Sequence, residues 1–166
     1  MAGLGTAAAI AVGISQVAYL GAMVTLGVRL ALLARRTRQL PEVLLAAHFL
    51  LCCTLGYAFQ GSGHALAIDS DASRPLVVTL LSIGHGASAL GVASVLAFNY
   101  WVFRRGTKLG QWLLAGGIAW LVVGYIGCAA SGGFWHGRPE GFWFWLLYSG
   151  FTAASLWTLS EQLVDA

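Results

Sequence analysis

The chain has 166 residues, of which 58% are hydrophobic and only 9% are Asp, Glu, Lys or Arg; its mean hydropathy is +0.78. A water-soluble domain carries about a quarter charged residues, so this composition excludes one and indicates a single membrane-embedded bundle, with no room for a separate soluble domain. The net charge of +3 does not indicate nucleic acid as a partner, because the basic residues fall into two short clusters at helix ends.

Five apolar segments follow one another, each at least the roughly 20 residues that cross a hydrocarbon core of about 30 Å. They are continuously apolar, without the two-residue alternation of barrel strands, which predicts an all-α, polytopic transmembrane bundle. The first covers residues 4–34. Its opening MAGLG holds no positive stretch, so it reads as a retained span rather than a cleaved signal peptide. Arg29, Arg35, Arg36 and Arg38 end this helix and fill the loop after it.

The second segment covers residues 41–61. Pro41 suits a first helical turn, where its missing N–H costs nothing, and Glu42 favours the positive end of the helix dipole. Arg35, Arg36 or Arg38 is placed to pair with Glu42 at the membrane surface. The third segment, residues 75–103, spaces Gly84, Ala87, Ser88, Gly91 and Ser94 by threes and fours, giving one narrow face of small residues. Such faces let helix backbones approach closely in lipid, so Gly84, Ser88 and Gly91 are predicted packing positions and this helix the predicted centre of the bundle. Gly110, Gly117, Gly124 and Gly127 make the fourth segment, residues 109–130, similarly permissive. The fifth covers residues 141–163. Phe134, Trp135, Phe142, Trp143, Phe144 and Trp145 cluster about its start, as expected of an interfacial aromatic belt.

The cations set the orientation. Four arginines lie at the first loop, and Arg104, Arg105 and Lys108 fill the third, seven in all; the second and fourth loops hold only Arg74 and Arg138. By the positive-inside rule the N-terminus is outside and the C-terminus cytoplasmic. Arg35, Arg36, Arg38, Arg104, Arg105 and Lys108 then form a basic face for anionic lipid headgroups or a partner protein. RRTRQL and RRGTKL, in the first and third loops, look alike. The positive-inside rule and chance explain this better than a duplicated helix pair of the kind found in some transporters.

ARRTRQLPEVLLAAHFLLCCTLGY resembles the first loop and second helix of an uncharacterised family of bacterial seven-helix integral membrane proteins, in which an arginine-rich TRxLPE-type motif opens the second helix and a Gly-Tyr pair lies near its outer half. Arg36, Thr37, Arg38, Leu40, Pro41, Glu42, Gly56 and Tyr57 match that pattern. FNYWVFRRGTKLGQWLL is similar to the family's third-helix end, and LWTLSEQL to the Trp-x-x-x-Glu ending of its fifth helix. The likeness implies a bacterial cytoplasmic (inner) membrane location and the first five helices of that architecture. It supplies no activity.

The histidines are the residues that invite a functional reading, since ionisable groups inside spans are functional suspects by default. His48 and His85 are the candidates for holding a cofactor, a b-type haem, which needs a facing pair at nearly equal depth. Counted at 1.5 Å per residue from the arginine loops, their depths differ by about 13 Å, which argues against the pair. His64, His136, Asp69 and Asp71, with Glu140, are the candidates for a metal site on the outer face, but no specific ligand spacing joins them. Cys52, Cys53 and Cys128 read as small packing residues rather than a disulfide framework. No nucleophilic triad, phosphate loop or intramembrane lysine is present, so no catalytic residue is assigned and the protein is not expected to be an enzyme. The expectation is a sensory or receptor-like bundle, or an accessory subunit that binds another membrane protein or a second copy. A small transporter or channel using the histidines is the alternative, and a haem-bearing electron-transfer subunit the third. For His85, between two glycines, the expected state is a neutral ring hydrogen-bonded to a neighbouring helix.

Overall fold

The computed structural model describes the backbone of residues 2–68, 73–134 and 141–164, and the side chains of residues 11–67, 73–134 and 141–163. Among them are helices and no strand: α1 (Ala2–Thr37), α2 (Leu40–Ala47), a π-helical segment (His48–Gly56), α3 (Tyr57–Ile68), α4 (Arg74–Phe103), α5 (Lys108–Ala130) and α6 (Phe142–Val164). α2, the π segment and α3 run end to end as one long helix.

α1 stops because Arg38 adopts a left-handed backbone, φ 55°, and its amide donates to the Ala34 carbonyl at 2.8 Å, a cap that satisfies one of the helix's open acceptors. Gln39 is then extended and Pro41 falls in the first turn of α2. Arg104 ends α4, Gly106 takes φ 82°, and the Thr107 hydroxyl caps α5 by accepting from the Gly110 amide at 3.1 Å. The second long helix continues to Ile68, past the residue 61 at which its apolar run fades. Gln60, Ser62 and His64 dilute the hydropathy there, yet Gly63 packs directly on Leu81 of α4.

α4 is the hub. It packs along the whole second helix and against both α5 and α6, whereas α1 packs on α2 and the π segment. Glycines set the closest approaches. A Cβ on Gly91 would stand 2.6 Å from the Cys52 backbone nitrogen, one on Gly84 2.8 Å from that of Gln60, and one on Gly124 2.9 Å from Leu147 Cα. Gly127 takes the Trp143 ring against its backbone. Two apolar clusters fill the interior, Val77, Leu81, Cys128, Phe134 and Phe144 in one, and Val92, Leu96, Leu121, Leu147 and Ala154 in the other.

Much of the outside is apolar. Trp112 is 76% exposed, Val17 72% and Phe142 69%, while His85, Ser88, Asn99 and Glu161 are all buried. Among the described residues, four helical stretches are long and apolar enough to cross a membrane: Ala11–Thr37, Leu40–Ala67, Arg74–Phe103 and Lys108–Ala130. α6 is 23 residues long, but its Trp, Tyr, Ser and Thr content leaves it outside that group.

Candidate functional site

The polar side chains of the interior meet at three levels along α4. At the level nearest its N-terminus, His85 is 1% exposed. Its Nδ1–H donates to the Leu81 carbonyl at 2.7 Å, since a carbonyl oxygen only accepts. Nε2 then faces the Tyr148 hydroxyl of α6 at 3.4 Å. That hydroxyl also lies 3.3 Å from Gln60 Oε1, and Gln60 Nε2 donates to Ser88 Oγ at 2.8 Å. Tyr148 has one proton for two acceptors, so it serves Gln60 or His85 at any moment. Phe134, with its ring centroid 5.0 Å away, and Phe144, at 6.0 Å, wall the imidazole in. The chain Ser88–Gln60–Tyr148–His85 thus ties α4, α3 and α6 together. Tyr148→Phe keeps the ring, whose centroid is 4.4 Å from that of Phe144, and removes only the hydroxyl. A loss of about 1 kcal/mol is expected, read as a lower thermal unfolding midpoint in detergent.

At the second level His48 donates Nδ1–H to the Gly91 carbonyl at 3.0 Å, and its Nε2 lies 3.6 Å from Cys53 Sγ. Gly91 is six residues beyond His85, about 9 Å along the helix, and each ring is turned to its own partners. The structure does not bring His48 and His85 together as a ligand pair. His64 lies farther out still, next to Gly63 at the level of Leu81.

At the third level Asn99 is wholly buried and donates to Thr158 Oγ1 at 2.8 Å, while its Oδ1 has no hydrogen-bond partner. One turn on, Arg104 Nε donates to Glu161 Oε1 and Oε2 at 2.8 and 3.0 Å. Trp157 Nε1 donates to the same carboxylate at 2.7 Å. Arg104 is therefore not one of a row of outward-facing cations, as the loop alone suggested; a buried carboxylate on α6 draws it across the helix end. Arg105 lays its guanidinium over the Trp101 ring, 4.0 Å from the centroid. Arg35, Arg36, Arg38 and Lys108 are exposed. Glu42 takes a hydrogen bond from Thr37 across the first turn, rather than the arginine contact expected there.

Gly84, Ser88 and Gly91 are buried on the face of α4 that meets Gln60, Gly56 and Cys52. Of the suspected outer metal ligands, Asp69, Asp71 and His136, like Glu140, lie outside the described residues, and no group of three His, Cys, Asp or Glu that could hold a metal ion occurs among the described ones. Nothing in the sequence marks Tyr148, Cys53 is marked there only as a packing residue, and Glu161 only as the end of the Trp-x-x-x-Glu motif. The four-residue spacing of that motif puts Trp157 and Glu161 on one helix face. A cleft of about 340 Å³ opens beside the second level, bounded by His48, Phe49, Val92, Ala154, Ser155 and Thr158. No protein-family model, curated protein or solved structure matches this chain.

Proposed function

We propose that the protein is an integral membrane bundle of the bacterial cytoplasmic membrane with no catalytic site, acting as a receptor-like module or as the accessory subunit of a membrane complex. α1, the second long helix, α4, α5 and α6 are its five spans, with the N-terminus outside and the C-terminus cytoplasmic. The observation that carries this reading is the apolar surface. Side chains such as Val17, Trp112 and Phe142 are exposed while His85, Asn99 and Glu161 are buried, an arrangement that lipid stabilises and water does not.

The internal polar groups support the non-catalytic part. His85, Gln60, Ser88 and Tyr148 bond to one another between helices, as interhelical ties do in lipid. α1 flanks the bundle, packed on the second helix alone among the strong helix pairs, and offers its remaining faces to lipid, a second copy or another membrane chain. The basic ends of α1 and the α4–α5 turn then meet anionic headgroups on the cytoplasmic side.

A second reading, a small proton-coupled transporter, has one observation of its own: the Tyr148 proton shared between Gln60 and His85. Reconstitution in proteoliposomes separates the two. The module reading expects proton and solute flux no greater than in empty liposomes, unchanged by His48→Ala or His85→Ala. Flux that either substitution abolishes overturns it in favour of transport.

A further inference from the structure

The contact between His48 and Cys53 is an unusual product of the π segment. Residues five apart on an α-helix point about 140° away from each other, since each residue turns the chain by about 100°. Winding with i to i+5 hydrogen bonds brings them to the same side. The winding is visible in the Tyr57 amide reaching the Cys52 carbonyl and in Thr54 Oγ1 donating to the Phe49 carbonyl at 2.9 Å. The Gly91 carbonyl fixes the His48 tautomer by taking the Nδ1 proton at 3.0 Å. Nε2 is then the unprotonated nitrogen, and it faces Cys53 Sγ at 3.6 Å. A thiol, a base within reach of it and a third group that orients the base are the parts of an activated nucleophile.

We propose that Cys53, with His48 as its base, is a stoichiometric nucleophile for lipid-soluble Michael acceptors: unsaturated aldehydes from oxidised lipid, or quinones with an unsubstituted ring carbon. Depth selects this class. Cys53 lies thirteen residues into the helix from Leu40, about 20 Å, so under the membrane placement proposed above an acyl donor with a polar head does not reach it. A small electrophile that dissolves in the hydrocarbon core is the kind that enters at this depth. Cys53 is only partly buried, whereas Cys128 is fully enclosed and Cys52 is turned to the α4 crossing at Gly91.

In the reaction the Cys53 S–H proton passes to His48 Nε2 and the sulfur forms a bond to the β-carbon of the acceptor. The C=C electron pair moves toward the carbonyl, giving an enolate. The imidazolium then returns the proton to the α-carbon of an enal, or to one oxygen of a quinone, whose sulfur-bearing ring carbon passes its own proton to the second oxygen to give a hydroquinone thioether. The net change is addition of S–H across a double bond, with no other reactant consumed.

The test uses the full chain in detergent micelles, with 4-hydroxynonenal and 1,4-benzoquinone in separate arms and the adduct on each cysteine quantified by peptide mass spectrometry. Cys53 is expected to react about tenfold faster than Cys52, with Cys128 inert. His48→Ala is expected to bring the Cys53 rate down to that of Cys52, with helical content unchanged. Reaction with the aldehyde alone assigns oxidised lipid as the source, reaction with the quinone alone assigns quinones, and reaction with both supports the shared chemistry. Equal rates at Cys52 and Cys53 in the unsubstituted chain overturn the proposal, as does no reaction in either arm. A folded His48→Ala protein with an undiminished Cys53 rate also overturns it. Should His48→Ala fail to fold, the Cys53 to Cys52 ratio of the unsubstituted chain decides. Because micelles do not depend on the membrane placement, failure of that placement is seen separately in the topology of the chain in cells.

Discussion

Gly91→Leu is expected to prevent assembly of a stable, monodisperse bundle, and Gly91→Ala to cost about 3 kcal/mol. The reason is the neighbour. The new Cβ would stand 2.6 Å from the Cys52 backbone nitrogen and 2.6 Å from its Cβ, and neither atom can swing aside. α4 must therefore move off the second helix. That movement stretches the His48 bond to the Gly91 carbonyl and the Gln60 bond to Ser88, so polar ties fail together with the packing. The control is on α1, where a Cβ on Gly13 or Gly21 meets nothing within 4 Å. Alanine there is expected to be neutral or slightly stabilising, because it favours the helix. Thermal unfolding and size-exclusion profiles of the four variants check the contrast.

Glu161→Ala is expected to destabilise the bundle by about 2–3 kcal/mol, somewhat less than breaking a fully buried ion pair costs. Glu161 is buried while the Arg104 side chain is 36% exposed, so water softens the loss on one side only. The carboxylate accepts from Arg104 Nε through both oxygens and from Trp157 Nε1; its removal leaves both donors without that acceptor. Arg104→Ala alone leaves a buried carboxylate held only by Trp157 and is expected to cost a similar amount. The double variant is expected to fall short of the sum by at least about 1 kcal/mol. Denaturant or thermal unfolding of the four proteins of this cycle measures the coupling.

The elements themselves were largely legible in the sequence, because apolar length and punctuation are local properties. Pro41 and Pro75 mark the first turns of α2 and α4, and the Arg35–Arg38 and Arg104–Lys108 stretches mark the breaks. The second helix outruns its apolar stretch because the polar residues at its end face a neighbour that only the fold supplies. The small residues of α4 identify a close-packed face, but not which helix meets it; that is a pairing between residues 52 and 91 or 60 and 84. Arg104 shows the same limit. As a loop cation it is indistinguishable from Arg105, and only the position of α6 gives it a carboxylate.

The His48–Cys53 contact was not legible at all. A five-residue spacing on a normal helix separates the two side chains, and nothing in HFLLCCTLG announces π winding. His85 was more accessible to reasoning. Its neighbours Gly84 and Gly86 suggested close packing, and the ring is indeed enclosed, though its Nδ1 bond goes to its own helix at Leu81 and only Nε2 faces α6.

Under the proposed placement α6 crosses the membrane as the fifth span and returns the C-terminus to the cytoplasm. Reporter fusions test it most directly, with alkaline phosphatase and green fluorescent protein placed in turn after residues 70, 107, 137 and 166. Phosphatase activity is expected at 70 and 137, and fluorescence at 107 and 166. Phosphatase activity at 166 together with 137 would contradict it, because the chain would then cross four times and α6 would lie on the outer face.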